Sequence, residues 1–212
     1  MKPSNTTMDK ASKQIHLKDA DLIGEGRDRL CFQHPSDPSL CIKVAKKKEK
    51  QTAREIRYLN YLHKKQRDLT YISDYHHSVK TNYGKGHVFD LITDQNGSVA
   101  PSLYQLLSAN QLTPEQLNEA LSTLSEYLSR ENLCVFDLSP RNLAAKQNQQ
   151  GQYRLYMIDG IGLASPDPFT FRMPLLTKRL MGKRWRRLIK KITVTVSHSS
   201  TDLSVRSDVK DF

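Results

Sequence analysis

The chain has 212 residues, 37% hydrophobic and 26% charged, enough for one large domain or two small lobes around a buried core. No apolar run reaches the ~18–20 residues of a membrane span, and the polar start MKPSNTTMDKASKQIHLKD lacks the apolar centre of a secretory signal. The net charge of +11 points to an anionic partner, but from Arg172 onward eleven Lys/Arg oppose three Asp, so that segment holds +8 of it.

Three cysteines, Cys31, Cys41 and Cys134, are an odd number without C-x-x-C spacing. That excludes a disulfide framework or a zinc ribbon and fits a reducing compartment. The expectation is a cytoplasmic protein.

In chain order, residues 1–18 read as a flexible tail. Between 22 and 44, LIGEG, RLCFQ and LCIKVA are short apolar stretches, and HPSDPS joins the last two as a hairpin with a long loop. A helix is predicted over 50–64, where Glu55, Leu59 and Leu62 share one face. A carboxylate on an apolar stripe calls for a partner, because buried carboxylates are rare unless paired. Adjacent His76 and His77 read as surface loop residues rather than a metal site. GHVFDLIT, at 86–93, reads as a mostly buried strand.

The clearest helix covers 113–130, with Thr113 as cap, Pro114 in the first turn, Gln116 closing a capping box, and a stripe of Leu117, Leu121, Leu124 and Leu128. A short strand at 133–136, the polar turn DLSPRN, and a hairpin of LAAK and YRLYMID follow. Strands first, then a long helix and a second small β element, give a two-lobed α+β pattern.

Four short patterns occur in one order. Gly24-Glu25-Gly26 follows a strand start, where glycines let backbone approach phosphates. Lys43 lies in an apolar strand and can neutralise phosphate, with Glu55 as its helix partner. Asp137 and Asn142 frame D-L-S-P-R-N, the D-x-x-x-x-N spacing of a base that accepts a hydroxyl proton and an amide that ligates magnesium. Asp159-Gly160 ends a buried strand, as a second metal-binding acid would. Each alone has an ordinary reading: a glycine turn, an outward-facing strand lysine, a salt-bridged surface glutamate, an Asx-rich turn, a strand-ending Asp-Gly. Their joint occurrence in this order is what carries the functional reading.

These residues resemble the protein-kinase-like fold. More narrowly, residues 22–192 resemble the YrbL family of PhoP regulatory network proteins, through IGEGRDRLCFQHPSDPSLCIKV, AREIRYLNYL, GHVFDLI and LSPRNLA. The resemblance implies a small β-rich N-lobe over 19–93 and a reduced helical C-lobe over 94–192, while the polar stretch 193–212 reads as a disordered tail. It implies ATP and Mg2+ as cofactors, Lys43 with Gly24 and Gly26 on the phosphates, and Phe89, Asp90 and Leu91 as a hinge touching adenine. Asp137 is then the catalytic base, Lys43 and Glu55 support catalysis, and Asn142 and Asp159 hold the metal. The implied activity is transfer of the γ-phosphate to a small-molecule or lipid-headgroup hydroxyl. The alternative is a pseudokinase, a nucleotide-sensing regulator or scaffold without turnover.

Several positions depart from the kinase pattern. Arg29 replaces the third loop glycine, Val135-Phe136 precede Asp137 in place of His-Arg, and Gly160-Ile161-Gly162 follow Asp159. About fifty residues remain after that, too few for the helices that dock protein substrates.

The stretch 177–193 is a basic helix with Met181, Trp185, Leu188 and Ile192 on one stripe. Two readings stand: the helix lies on an anionic membrane surface, at the inner face of the membrane, or it docks its Trp185 face on the C-lobe. Nucleic acid is disfavoured, because aromatics are few and no recognition motif is present.

Overall fold

The structure is a computed structural model that describes residues 14–47, 49–162 and 174–198. It is a mixed α+β architecture with a five-stranded antiparallel sheet, a two-stranded hairpin and, among the described residues, four α-helices. The sheet comprises β1 (Leu22–Glu25), β2 (Arg29–Gln33), β3 (Leu40–Ala45), β4 (Tyr75–Thr81) and β5 (Gly84–Asp90), in the order β1-β2-β3-β5-β4. Helix α1 (Lys50–Lys64) sits between β3 and β4 in the chain. Then come α2 (Leu103–Ser108), α3 (Pro114–Arg130), the hairpin of β6 (Leu143–Gln147) and β7 (Tyr153–Met157), and α4 (Pro174–His198).

The two faces of the sheet have different fates, as strand alternation requires. Phe32, Ile42, Val44 and Val88 point to one side and bury a small core with Leu17. Cys41 and Phe89 point to the other and join a larger core built mainly by the helices and the second hairpin. That larger core includes residues on both sides of position 93, so one apolar interior supports the sheet and the helices together. Register places Cys31 opposite Lys43 and Arg29 opposite Ala45, so Arg29, Cys31 and Lys43 share the face of the larger core.

Both long predicted helices are present. The buried residues of α1 are Thr52, Glu55, Tyr58, Leu59 and Leu62. Helix α3 starts with the expected capping box, Gln116 N–H donating to Thr113 Oγ1 at 3.2 Å and Thr113 N–H donating to Gln116 Oε1 at 3.1 Å.

Four expectations need correction. Residues 14–18 are not a loose tail: Ile15 N–H donates to the Lys80 carbonyl at 2.8 Å, and Leu17 is buried because it completes the small core. His76 and His77 lie in β4 at the sheet edge rather than in a loop, and His76 Nε2 lies 2.7 Å from Asp90 Oδ1. Residues 133–136 make only an isolated bridge, Val135 to Ile161, because the facing segment turns away at once. Helix α4 does not stop near 193 but runs to His198, since Val196 extends its apolar stripe by one more turn. The rest of the expected C-terminal tail, 199–212, and most of residues 1–18 lie outside the described residues.

Candidate functional site

Asp137 precedes a short 3-10 turn, Pro140–Asn142, that leads directly into β6. Proline at the first position fixes the turn, and Asn142 N–H closes it on the Ser139 carbonyl at 3.0 Å. Asn142 then reaches back, its Nδ2 donating to the Asp137 carbonyl at 2.9 Å and to Asp137 Oδ2 at 3.1 Å. The Asp137 side chain stays half exposed (51%) and has Lys191 Nζ of α4 at 3.6 Å from Oδ1.

Asp159 and Gly160 leave β7 and turn against this loop. Gly160 has φ +78, and a Cβ there would lie 2.6 Å from the Asp137 carbonyl oxygen and 3.2 Å from Asn142 Nδ2. Only glycine satisfies both the left-handed backbone and the contact. The packing is sealed by Phe136 N–H donating to the Gly160 carbonyl at 2.8 Å and by Ile158 N–H donating to the Asn142 carbonyl at 3.0 Å. Two segments distant in sequence thus bring Asp137, Asn142 and Asp159 together.

Lys43 reaches the same place from β3. Its Nζ donates to the Ile158 carbonyl at 2.6 Å, one residue before Asp159, and lies 4.0 Å from the centroid of the Phe89 ring. It is buried, and its stem crosses the larger core.

The partner of Glu55 is Arg29, not Lys43. Arg29 Nη1 donates to Glu55 Oε2 at 2.7 Å and to Thr52 Oγ1 at 3.4 Å, and its Nη2 donates to Asp159 Oδ1. Glu55 is 1% exposed and Arg29 8%, so this cation is sandwiched between two carboxylates away from solvent. Burial opposes the guanidinium charge, but Glu55 and Asp159 outweigh it and hold Arg29 above its ordinary pKa. By sequence alone Arg29 is a cation crowding the glycine turn. Strand parity is the signal for its role, because Arg29 lies on the same face of β2 as Cys31, opposite Lys43. Lys191, by sequence alone one cation on a basic helix face, is placed beside Asp137 only by the docking of α4.

The glycine turn and the hinge are less committed to a ligand. Gly24 pairs with Cys31 in β1–β2, and Gly26 N–H donates to the Arg29 carbonyl at 2.9 Å, closing the turn. A Cβ at either glycine would meet its nearest neighbour at 3.9 or 3.6 Å, ordinary contact, so the structure itself does not demand glycine there. Phe89 is fully buried, the Asp90 carbonyl accepts from Ser73 Oγ at 2.7 Å, and Leu91 N–H donates to the Ser39 carbonyl at 2.7 Å. The Leu91 amide is therefore spent within the protein, and Phe89 supports Lys43 rather than facing a base.

The oxygen donors near Asp159 fit magnesium in kind. One carboxylate and one amide oxygen are hard ligands, and Mg2+ commonly takes one or two carboxylates and completes its shell with phosphate and water. Among the described residues no group of three or more His, Cys, Asp or Glu gathers around a common point. No described helix is long and apolar enough to cross a membrane.

Helix α4 docks by its apolar stripe. Met181, Trp185, Leu188, Ile192 and Val196 are all buried in the larger core, so the Trp185 face is not available to a bilayer. Val135 N–H donates to Met181 Sδ at 3.4 Å, and Arg184 Nη1 lies 3.5 Å from Cys134 Sγ, tying α4 to the segment just before Asp137.

Proteins named Uncharacterized protein YrbL from Escherichia coli (strain K12) and from Shigella flexneri are each 29% identical over 183 residues, 82% of this chain and 86% of theirs. Residues 15–193 match the family described as PhoP regulatory network protein YrbL, a span that takes in the sheet, both loops of the site and α4 as far as Thr193. The chain belongs to that family.

Proposed function

We propose that this protein has a two-lobed, kinase-like organisation, with the boundary near 93/94, that it binds Mg-ATP and transfers the γ-phosphate to a small-molecule or lipid-headgroup hydroxyl. The observation that carries the reading is that Asp137 and Asn142 pack against Gly160, next to Asp159, while Lys43 reaches the Ile158 carbonyl on the other side of Asp159. Lys43 is the cation placed for a phosphate. Asp137, half exposed, is the carboxylate placed to receive a hydroxyl proton, and Asn142 fixes its orientation. The Asn142 amide oxygen and the second Asp159 oxygen would hold magnesium, which when bound neutralises charge on the phosphates. Protein-side catalysis here is positioning and charge, with no covalent intermediate. The family name supports only the setting of this proposal, a PhoP regulatory network.

A second reading is a nucleotide-sensing regulator without turnover. It is favoured by the Arg29 guanidinium on Asp159, which neutralises that carboxylate without any metal. Millimolar Mg-ATP should raise the melting temperature, since a ligand at a hundredfold excess over Kd adds about 2.7 kcal/mol to folding stability. An unchanged melting temperature would overturn both readings. A shift without ATP consumption on pooled metabolites and lipids would select the regulator.

A further inference from the structure

Beside Asp137, a groove of about 530 Å³ runs between the 139–141 turn, α2 and the second half of α4. Its size falls within the ~300–1,000 Å³ of small-molecule sites. Arg141, Arg187, Lys190 and Lys191 line it, and among the described residues no carboxylate does. Asp137, 3.6 Å from Lys191, stands at its edge. These cations come from two separate elements, the 139–141 turn and α4, and line one groove, a concentration of like charge that self-repulsion disfavours until an anion enters. Arg141 is held flat on the Tyr104 ring, 3.6 Å from its centroid, which orients its fork of donors.

We propose that this groove binds the phosphoryl acceptor, and that the acceptor carries a phosphate group of its own beside the hydroxyl it offers. The proposal rests on the phosphotransfer reading of Asp137. Guanidinium forks pair with phosphate oxygens two at a time, which suits a phosphate better than a lone carboxylate against several cations. With the phosphate of the acceptor on Arg141, Arg187 and Lys190, its hydroxyl is directed toward Asp137. The hydroxyl oxygen bonds to the γ-phosphorus of ATP, the bond from that phosphorus to the β-bridging oxygen breaks with its electrons leaving on ADP, and the hydroxyl proton passes to Asp137.

The test is calorimetric binding of glycerol 3-phosphate, of orthophosphate, and of vesicles of phosphatidylcholine with or without phosphatidylglycerol. Wild type should bind the ester more tightly than orthophosphate. The Arg187→Glu, Lys190→Glu double variant should lose about tenfold or more in affinity, and Arg141→Glu in the 139–141 turn should do the same. All three positions are exposed, so the fold tolerates the changes. Binding confined to phosphatidylglycerol vesicles, with the same losses, identifies the phosphate as that of a lipid headgroup. Wild-type affinity in both variants, no binding to either phosphate ester, or equal affinity for orthophosphate overturns the proposal. ATP affinity measured on the same samples separates the failures. In wild type, ester binding absent while ATP binding is present counts against the groove alone, whereas absent ATP binding removes the phosphotransfer reading and the acceptor role with it.

Discussion

Arg29 does two jobs with one side chain: it neutralises the buried Glu55 of α1 and clamps the Asp159 turn to the sheet. Removing one partner of a buried ion pair leaves the other charged and desolvated, which costs far more than the pair itself contributes. Arg29→Ala should therefore lower stability by about 3–5 kcal/mol, measured by denaturant titration. The double variant Arg29→Met, Glu55→Leu removes both charges and should recover most of that loss. If the single variant were as stable as wild type, the buried Arg29–Glu55 pair would be wrong. The same clamp bears on the proposed chemistry, since Asp159 gives one oxygen to Arg29 and only the other would be left for a metal.

At the scale of elements, α4 shows how one helix divides its labour. One face of α4 is core and the other is cationic surface lining the groove. Ile192→Ala should cost about 2–5 kcal/mol because its side chain is fully buried. Lys190→Ala should stay within about 0.5 kcal/mol, as exposed positions do. Equal effects at the two positions would contradict this orientation. Helical periodicity makes α1, α3 and the docking stripe of α4 legible in the sequence, because apolar residues recurring every three or four positions line up on one face of a helix and on no face of a strand. Helix α2 is not legible that way, although Ser102 and Gln105 form a capping box, because six residues carry too little periodicity. Strand β4 is hidden because, at the sheet edge, its His-His-Ser run is exposed and shows no apolar alternation. The residues at the site are legible by motif, but their pairing is not. Whether Lys43 or Arg29 meets Glu55 depends on the register of β2 against β3 and on which donor reaches α1, which no local pattern specifies.

At the scale of the molecule, the site exists only where three parts meet: β3, the Asp137 turn and the segment after β7. Side chains from different parts should then fail in different ways. Asp137→Asn should leave Mg-ATP affinity unchanged and abolish turnover, because the role proposed for Asp137 is toward the acceptor rather than the nucleotide. Asp159→Asn should weaken nucleotide binding only with magnesium present, and Lys43→Ala should weaken it with or without the metal. Nucleotide affinity and ATP consumption, measured side by side, check all three. An Asp137→Asn protein as active as wild type would remove the assignment of the base.

Trp185 is the one tryptophan of the chain, and it lies 1% exposed at the middle of α4, its indole in the shared core. An indole in apolar surroundings emits at shorter wavelength than one in water, so the intrinsic fluorescence of this protein comes with a built-in address. Its emission maximum follows the seating of α4 against the body and nothing else that an indole could report. Red-shifted emission at denaturant concentrations where the circular dichroism of the sheet is still native would mean that α4 lifts first and opens the groove before the rest of the protein unfolds.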